Sequence, residues 1–271
     1  MSKIYVVKDL IERKEDFVIA KIVDTEGTTP RKKGAWLLMT QDGIKYGTVG
    51  GGSLEAEVGK VCLETFRTKD SKVHHFQVSC APGQGADLCG GSADVSIEYI
   101  DTKKPDSFAF DFDTETKAFI FGAGHVGKAV EPILRSVNFT TTVIDDRAEF
   151  ANRESFPEAD GIVVIGSFKD AWQGMETDEN SYVVIVTRGH SGDYDVLKQT
   201  LSRETAYIGM MGSRKKVAEI FRVLREEGFS QEDLDRVYTP IGTNIFAETP
   251  EEIAVSIAGE MIMVRAGHGE R

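Results

Sequence analysis

Short apolar runs separated by glycine-rich turns organise the first hundred residues. Phe17–Val23 is apolar apart from Lys21 and predicts a buried strand. Asp24–Arg31 predicts a turn-rich loop and Gly34–Thr40 a second strand. Asp42-Gly43 is a hairpin turn signal, with Ile44–Val49 as the return strand. Leu54, Val58, Val61, Cys62 and Phe66 share one helical face, which predicts a helix over Leu54–Phe66. Val73–Val78 and the alternating Ala93–Ile100 read as the closing strands of this half.

From Lys117 onward strands and helices alternate. Ala118–Phe121 predicts a buried strand. Ala129, Val130, Ile133, Leu134 and Val137 then recur at helical spacing over Lys128–Val137, and Thr140–Ile144 predicts a second strand. Gly161–Gly166 and Tyr182–Thr187 are further strands, the latter an unbroken apolar run expected to be buried on both faces. Asp195–Leu201 predicts a helix, Ala206–Ile208 a short strand, Val217–Leu224 a helix and Val237–Gly242 the last strand and turn. Thr249-Pro250-Glu251-Glu252 is a capping box with proline at the first helical position. The helix it opens carries Ile253, Ala254, Ile257, Met261 and Val264 on its apolar period. The fold class is therefore α/β: an N-terminal mixed α+β domain over 1–104, a linker over 105–116, and a Rossmann-like doubly wound parallel-sheet domain over 117–271. Within the polar linker, Phe108, Phe110 and Phe112 alternate and could pair as an edge strand.

Composition narrows the function classes. The 271 residues are 41% hydrophobic and 28% charged, as in a soluble globular protein. A formal charge of −12 argues against a nucleic-acid partner or an anionic membrane surface. No run reaches the ~20 apolar residues of a membrane span. Met1–Ile11 is charged and short of apolar residues, so no secretory signal is read there, and a cytoplasmic location is expected. Cys62, Cys80 and Cys89 leave an odd thiol and make no C-x-x-C pair, a reduced-compartment pattern and a poor zinc site.

Candidate chemistry lies at strand–glycine–helix junctions. Gly122, Gly124 and Gly127 follow the Ala118–Phe121 strand at G-x-G-x-x-G spacing, the arrangement that sets a pyrophosphate on a helix N-terminus. Asp145 closes the next strand 18 residues later, about where a ribose-binding carboxylate belongs. His125, inside the fingerprint, faces the cleft, with a backbone partner as its ordinary role and proton handling as the alternative. Gly50, Gly51 and Gly52 form a second such junction, either an anion-binding concavity or a tight turn needing positive φ. Gly212, Ser213 and Arg214 open a third, where a phosphate would find glycine amides, a hydroxyl and cations. Glu55 reads as a helix cap, His74 and His75 as solvent-facing, and His190 and Asp193 lie at a strand's carboxyl end. Cys62 is read as packing. Cys80 and Cys89 sit in a glycine-rich loop, where packing explains them less well.

Gly27-x-Thr29-Pro30-Arg31-x-x-Gly34-Ala35, Gly47-Thr48-Val49-Gly50-Gly51-Gly52-x-Leu54-Glu55 and Cys89-Gly90-Gly91 together resemble the XdhC/CoxI family, the accessory proteins of xanthine dehydrogenase and related molybdenum hydroxylases. The second half, ending in Thr249-Pro250-Glu251-Glu252-Ile253-Ala254, is similar to the same family's Rossmann domain. The resemblance implies binding of the molybdenum cofactor (molybdopterin), a pterin with a dithiolene and a phosphate. It also implies sulfuration with a cysteine desulfurase as donor, and delivery to a xanthine dehydrogenase-type hydroxylase. Gly50–Gly52, Gly90 and Gly91 would hold that cofactor, with Cys89 as the soft ligand to metal or sulfur. In this reading the protein is a maturation factor rather than an enzyme, and a homodimer is one option for its assembly. One departure stands out: Ile245-Phe246-Ala247 replaces the family's Ile-Gly-Ala, and phenylalanine does not relax into positive φ as glycine does, which puts the shape of that loop in question. Two rivals share the fold: an NAD(P)-dependent oxidoreductase using Gly122–Gly127 and Asp145, and a nucleotide-sensing interaction module.

Overall fold

The computed structural model describes residues 3–78, 90–104 and 116–267. The Cys80 and Cys89 thiols and the Phe108–Phe112 alternation lie outside the described residues. The chain divides into two compact units, Lys3–Asp113 and Thr114–Arg271.

The first unit is built on β1 (Phe17–Gly27), the middle strand of an antiparallel sheet. The remaining strands are β2 (Trp36–Thr40), β3 (Lys45–Gly47), β4 (Lys72–Val78) and β5 (Gly91–Ile100), in the order β3-β2-β1-β5-β4. β1 opens on four consecutive buried apolar residues, Phe17–Ala20, because both faces of the sheet are covered there. Val18, Ala20 and Ile22 pack with Leu54, Val58 and Cys62 of α2 (Gly52–Thr68). Phe17 and Ile19 pack with Val6, Val7 and Leu10 of α1 (Lys3–Arg13), a helix the sequence reading missed by taking Met1–Ile11 as charged and short of apolar residues.

The Asp24–Arg31 loop is corrected by the structure. A register shift between Ile22 and Asp24 marks a bulge, after which β1 runs on as strand to Gly27. Asp24 to Gly27 pair with Asp94 to Gly91, although their side chains are polar and partly exposed. Alternation fades at that point because the sheet projects beyond its core.

The second unit is a six-stranded parallel sheet. Its strands are β6 (Lys117–Phe121), β7 (Thr140–Asp145), β8 (Gly161–Val164), β9 (Ser181–Ile185), β10 (Tyr207–Met210) and β11 (Val237–Tyr238), in the order β11-β10-β9-β6-β7-β8. Helices α3 (His125–Ser136) and α7 (Pro250–Arg265) cover one face through Val130, Leu134, Ala254, Ile257 and Met261. Helices α4 (His190–Leu201) and α5 (Arg214–Glu226) cover the other through Val196, Leu197, Ile220 and Leu224. A short α6 (Gln231–Asp235) leads into β11. This is a doubly wound Rossmann-like sheet whose strand order reverses between β6 and β9. Helices α4 and α5 start five and three residues earlier than their apolar period indicates, because their first turns are polar and face the sheet's carboxyl end.

The capping box of α7 is present, with Thr249 accepting from the Glu252 amide and Glu252 accepting from the Thr249 amide. Just before it, Phe246 does enter the left-handed region, at φ 59°, with its side chain 86% exposed. The loop is pinned on both sides: Ser256 Oγ donates to Thr243 O at 2.6 Å, and the Glu248 amide donates to Glu252 at 2.8 Å. Those anchors hold the corner that a glycine would favour. Phe246→Gly is therefore expected to stabilise the protein by about 1 kcal/mol in denaturant unfolding, whereas Phe246→Ala, which keeps a Cβ, leaves the midpoint unchanged. Equal midpoints for the two variants would contradict this.

Candidate functional site

In the first unit, three stretches of main chain meet at the end of the sheet. Gly27 pairs with Gly91 across β1 and β5. A Cβ on Gly91 would collide with Thr28 O, and one on Gly27 would lie 2.6 Å from Gly90 O. A Cβ on Gly50 would lie 3.0 Å from Pro30 Cβ. The 27–30 turn thus packs against both Gly90-Gly91 and the triple-glycine bend.

Gly50, Gly51 and Gly52 have φ of 131°, 69° and 57°, conformations that side chains resist. Among the described residues, nothing lies within 4 Å of the Cβ positions of Gly51, Gly52 and Gly90, so none of them covers the backbone there. Two amides of the bend are already used: Gly50 N donates to Thr48 Oγ1 at 3.0 Å and Gly51 N to Glu55 Oε2 at 3.2 Å. Glu55 also accepts from Thr48 Oγ1 at 2.5 Å, which makes it the cap that its position suggests. The first amides of α2 beyond Gly51 have no intrahelical acceptor and point out of the helix. Arg31, Lys32 and Lys33 follow Pro30, all exposed, giving a local positive field on an acidic protein. Cys89 directly precedes Gly90 in the chain.

In the second unit, the fingerprint glycines have separate steric roles. A Cβ on Gly122 would collide with Val186 O, and one on Gly127 with Gly122 O. The Cβ position of Gly124 meets nothing within 4 Å among the described residues, so this is where a ligand can approach main chain. Gly124 and Gly189 are the N-caps of α3 and α4, neither with a side-chain cap, and the first helical residues are the exposed His125 and His190. These helix starts follow β6 and β9, the two strands flanking the switch point.

Asp145 is placed at the end of β7 but is only 1% exposed. Its Oδ2 accepts from the Ala123 amide at 2.8 Å and from Arg147 Nη2 at 3.0 Å. Its Oδ1 accepts from Arg147 Nε at 2.9 Å and from the Arg147 amide at 3.1 Å. Burial pushes this carboxyl up, but Arg147 and the Ala123 amide more than offset it and hold it below the ordinary carboxylate range. Arg147 in turn lies 3.9 Å over the Phe150 ring. The acid expected to meet a ribose is thus a strut between the glycine loop and Arg147. Its neighbour Asp146 and the distant Arg188, passed over in the sequence, are joined at 2.9 Å. The available signals were the doubled acid of Asp145-Asp146-Arg147 and an arginine one residue past the Tyr182–Thr187 run.

The third junction is largely self-satisfied. Ser213 Oγ accepts from the Lys216 amide at 3.3 Å as the cap of α5. Lys216 Nζ is taken up by the buried Asp193 and by Met211 O. Asp193 also accepts from Thr187 Oγ1 at 2.6 Å. Burial drives the Asp193 carboxyl above its ordinary range against the pull of Lys216 and Thr187. Arg214 instead lines a cavity of about 320 Å³ with Phe221, Arg225 and Thr239, beside which Gly212 packs on Lys216 and Val217. Among the described residues, no three His, Cys, Asp or Glu side chains gather to hold a metal ion, and no helix is long and apolar enough to cross a membrane.

Residues 118–261 match the XdhC Rossmann domain, and residues 10–77 match the XdhC and CoxI family. The chain belongs to the XdhC and CoxI family. Within it, the chain is 32% identical over 258 residues to the uncharacterized protein YqeB of Escherichia coli, covering 94% of this chain and 45% of YqeB. The chain thus spans about half the length of that relative. It is 24% identical over 327 residues to a Bacillus subtilis protein named as a probable xanthine dehydrogenase subunit, covering 94% of this chain and 95% of that protein. A solved protein from Bacillus halodurans, described as a xanthine dehydrogenase, superposes with a TM-score of 0.75 at 23% identity, over 98% of this chain and 96% of that one. That likeness shows the same fold.

Of the three thiols, Cys62 lies within the described residues. It is fully buried on α2, and burial pushes its thiol up to about 12. Only a minute fraction is thiolate near pH 8, and thiolate is the reactive form. In native protein treated with a maleimide and mapped by mass spectrometry, Cys62 is expected to stay unlabelled until denaturant is added. Labelling of Cys62 under native conditions would contradict the assignment.

Proposed function

We propose that this XdhC/CoxI-family protein is an accessory factor in xanthine dehydrogenase maturation. It holds the molybdenum cofactor on its first unit, for sulfuration by a cysteine desulfurase and delivery to a xanthine dehydrogenase-type hydroxylase. The observation that carries this reading is the meeting of Gly27–Pro30, Gly50–Gly52 and Gly90–Gly91 at one sheet end, with no described residue packed over Gly51, Gly52 and Gly90. The chemistry of that corner fits the ligand. The cofactor's phosphate suits the amides at the start of α2, and Arg31, Lys32 and Lys33 would balance its charge. The molybdenum–dithiolene centre supplies a soft, sulfur-exchanging metal, and Cys89, one peptide bond from Gly90, would be its thiolate partner. Family membership, together with the xanthine dehydrogenase-related names of two relatives, supports the client class.

The second unit supports a companion reading, a nucleotide held at Gly122–Gly127. Strand order, the open Gly124 and the uncapped start of α3 all favour it, with NAD(P) as the natural candidate.

The test is native mass spectrometry of protein isolated from a molybdate-fed host, with fluorescence of the oxidised pterin as a second readout. The wild-type chain is expected to carry molybdopterin, and Cys89→Ser to retain and deliver about tenfold less, or lower still, while Cys62→Ser behaves as wild type. A wild-type chain without pterin, or a Cys89→Ser variant with full retention and delivery, would overturn the cofactor reading.

A further inference from the structure

Asp145 is spent inside the fold, which leaves the sugar of a nucleotide at Gly122–Gly127 without its expected acceptor. The next residue is placed differently. Asp146 Oδ2 accepts from Arg188 Nη2 at 2.9 Å. Its Oδ1 is buried and makes no hydrogen bond, with Arg147 Nε 3.7 Å away. A shielded carboxylate oxygen without a donor is uncommon in finished structures and calls for a partner.

Arg188 and Asp146 reach each other from opposite sides of the switch point. Arg188 follows β9, Asp146 follows β7, and β6 lies between those strands. Neighbouring strands lie ~4.8 Å apart, so the pair bridges roughly 10 Å across the strand that feeds the glycine loop. Asp146 is held beside Arg147, with its side chain 18% exposed, whereas Arg188 is 56% exposed and is the movable end. A nucleotide in such a fold crosses this ground, with phosphates over the glycine loop and the start of α3, and its sugar toward the end of β7.

We propose that the Arg188–Asp146 pair is a strap over the crevice whose two ends become the ligand contacts, Arg188 taking phosphate and Asp146 taking the ribose hydroxyls. This rests on the nucleotide reading of the second unit. The exchange costs little. Arg188 trades a carboxylate for a phosphate, both bidentate acceptors for a guanidinium. Asp146 trades one cation for hydroxyl donors, and its orphaned Oδ1 gains one of them. A 2′-phosphate would instead meet the Asp146 carboxylate, since Arg147 is committed to Asp145. NADH is therefore preferred to NADPH. A purely structural ion pair at this exposure would shift stability slightly and binding not at all.

Calorimetric titration of the full chain with adenosine, ADP, NADH and NADPH tests the strap, with thermal melts confirming that each variant is folded. The wild type is expected to bind NADH about tenfold tighter than NADPH. Arg188→Gln weakens ADP and NADH about tenfold and spares adenosine, which has no phosphate. Arg188→Lys, which keeps the charge, recovers most of the ADP affinity. Asp146→Asn weakens adenosine and brings the NADH-to-NADPH ratio close to one. If the wild type binds ADP and NADH but both substitutions leave every affinity and ratio unchanged, the strap is wrong and the nucleotide reading survives. If the wild type shows no saturable binding of ADP or NADH, the nucleotide reading fails and the strap with it.

Discussion

The structure depends on main chain approaching main chain at the ends of strands, closer than any side chain permits. In the first unit Gly91 lies against Thr28 O and Gly27 against Gly90 O. In the second, Gly122 lies against Val186 O, and Gly127 against Gly122 O. These contacts draw loops distant in sequence together and leave amides, rather than side chains, facing outward. A backbone corner of this kind suits something compact and electron-rich, because its amide donors are fixed in place.

Charge is distributed to match. The protein carries a formal charge of −12, yet Arg31, Lys32 and Lys33 stand next to the triple-glycine bend. At the crevice of the second unit, Arg147 and Arg188 are both engaged, one by a buried carboxylate and the other by a partly exposed one. That difference in burial separates a structural partner from an exchangeable one. Breaking the Asp145–Arg147 pair would strand a buried charge, a much larger penalty than parting an exposed pair.

Much of this was legible in the chain. Period-2 and helical patterns located every described strand and the long helices, since burial on one or both faces imposes those periods directly. The G-x-G-x-x-G run, with its flanking strand and helix, specified the Rossmann crevice, and the family motifs singled out the residues that now converge in the first unit. What the pattern could not convey was the destination of polar side chains. Asp145 has the position expected of a ribose acid, but position does not reveal that Ala123 and Arg147 consume it. Ser213 and Lys216 likewise have phosphate-binding chemistry that is used up by a cap and by Asp193. Helix α1 was missed because its interspersed charges masked the period of Val6, Val7, Leu10 and Ile11, and the tail of β1 because it projects past the core. Phe246 shows the reverse case, a residue whose own preference is overruled by anchors on both sides.

The central claim is that the glycine corner of the first unit grips the cofactor through its main chain. Amide hydrogen exchange on the full chain, with and without added molybdopterin, measures this residue by residue. Slowed exchange at Gly52–Leu54 and Gly90 is the expected result. Unchanged exchange at those amides, with molybdopterin demonstrably bound, would contradict the account.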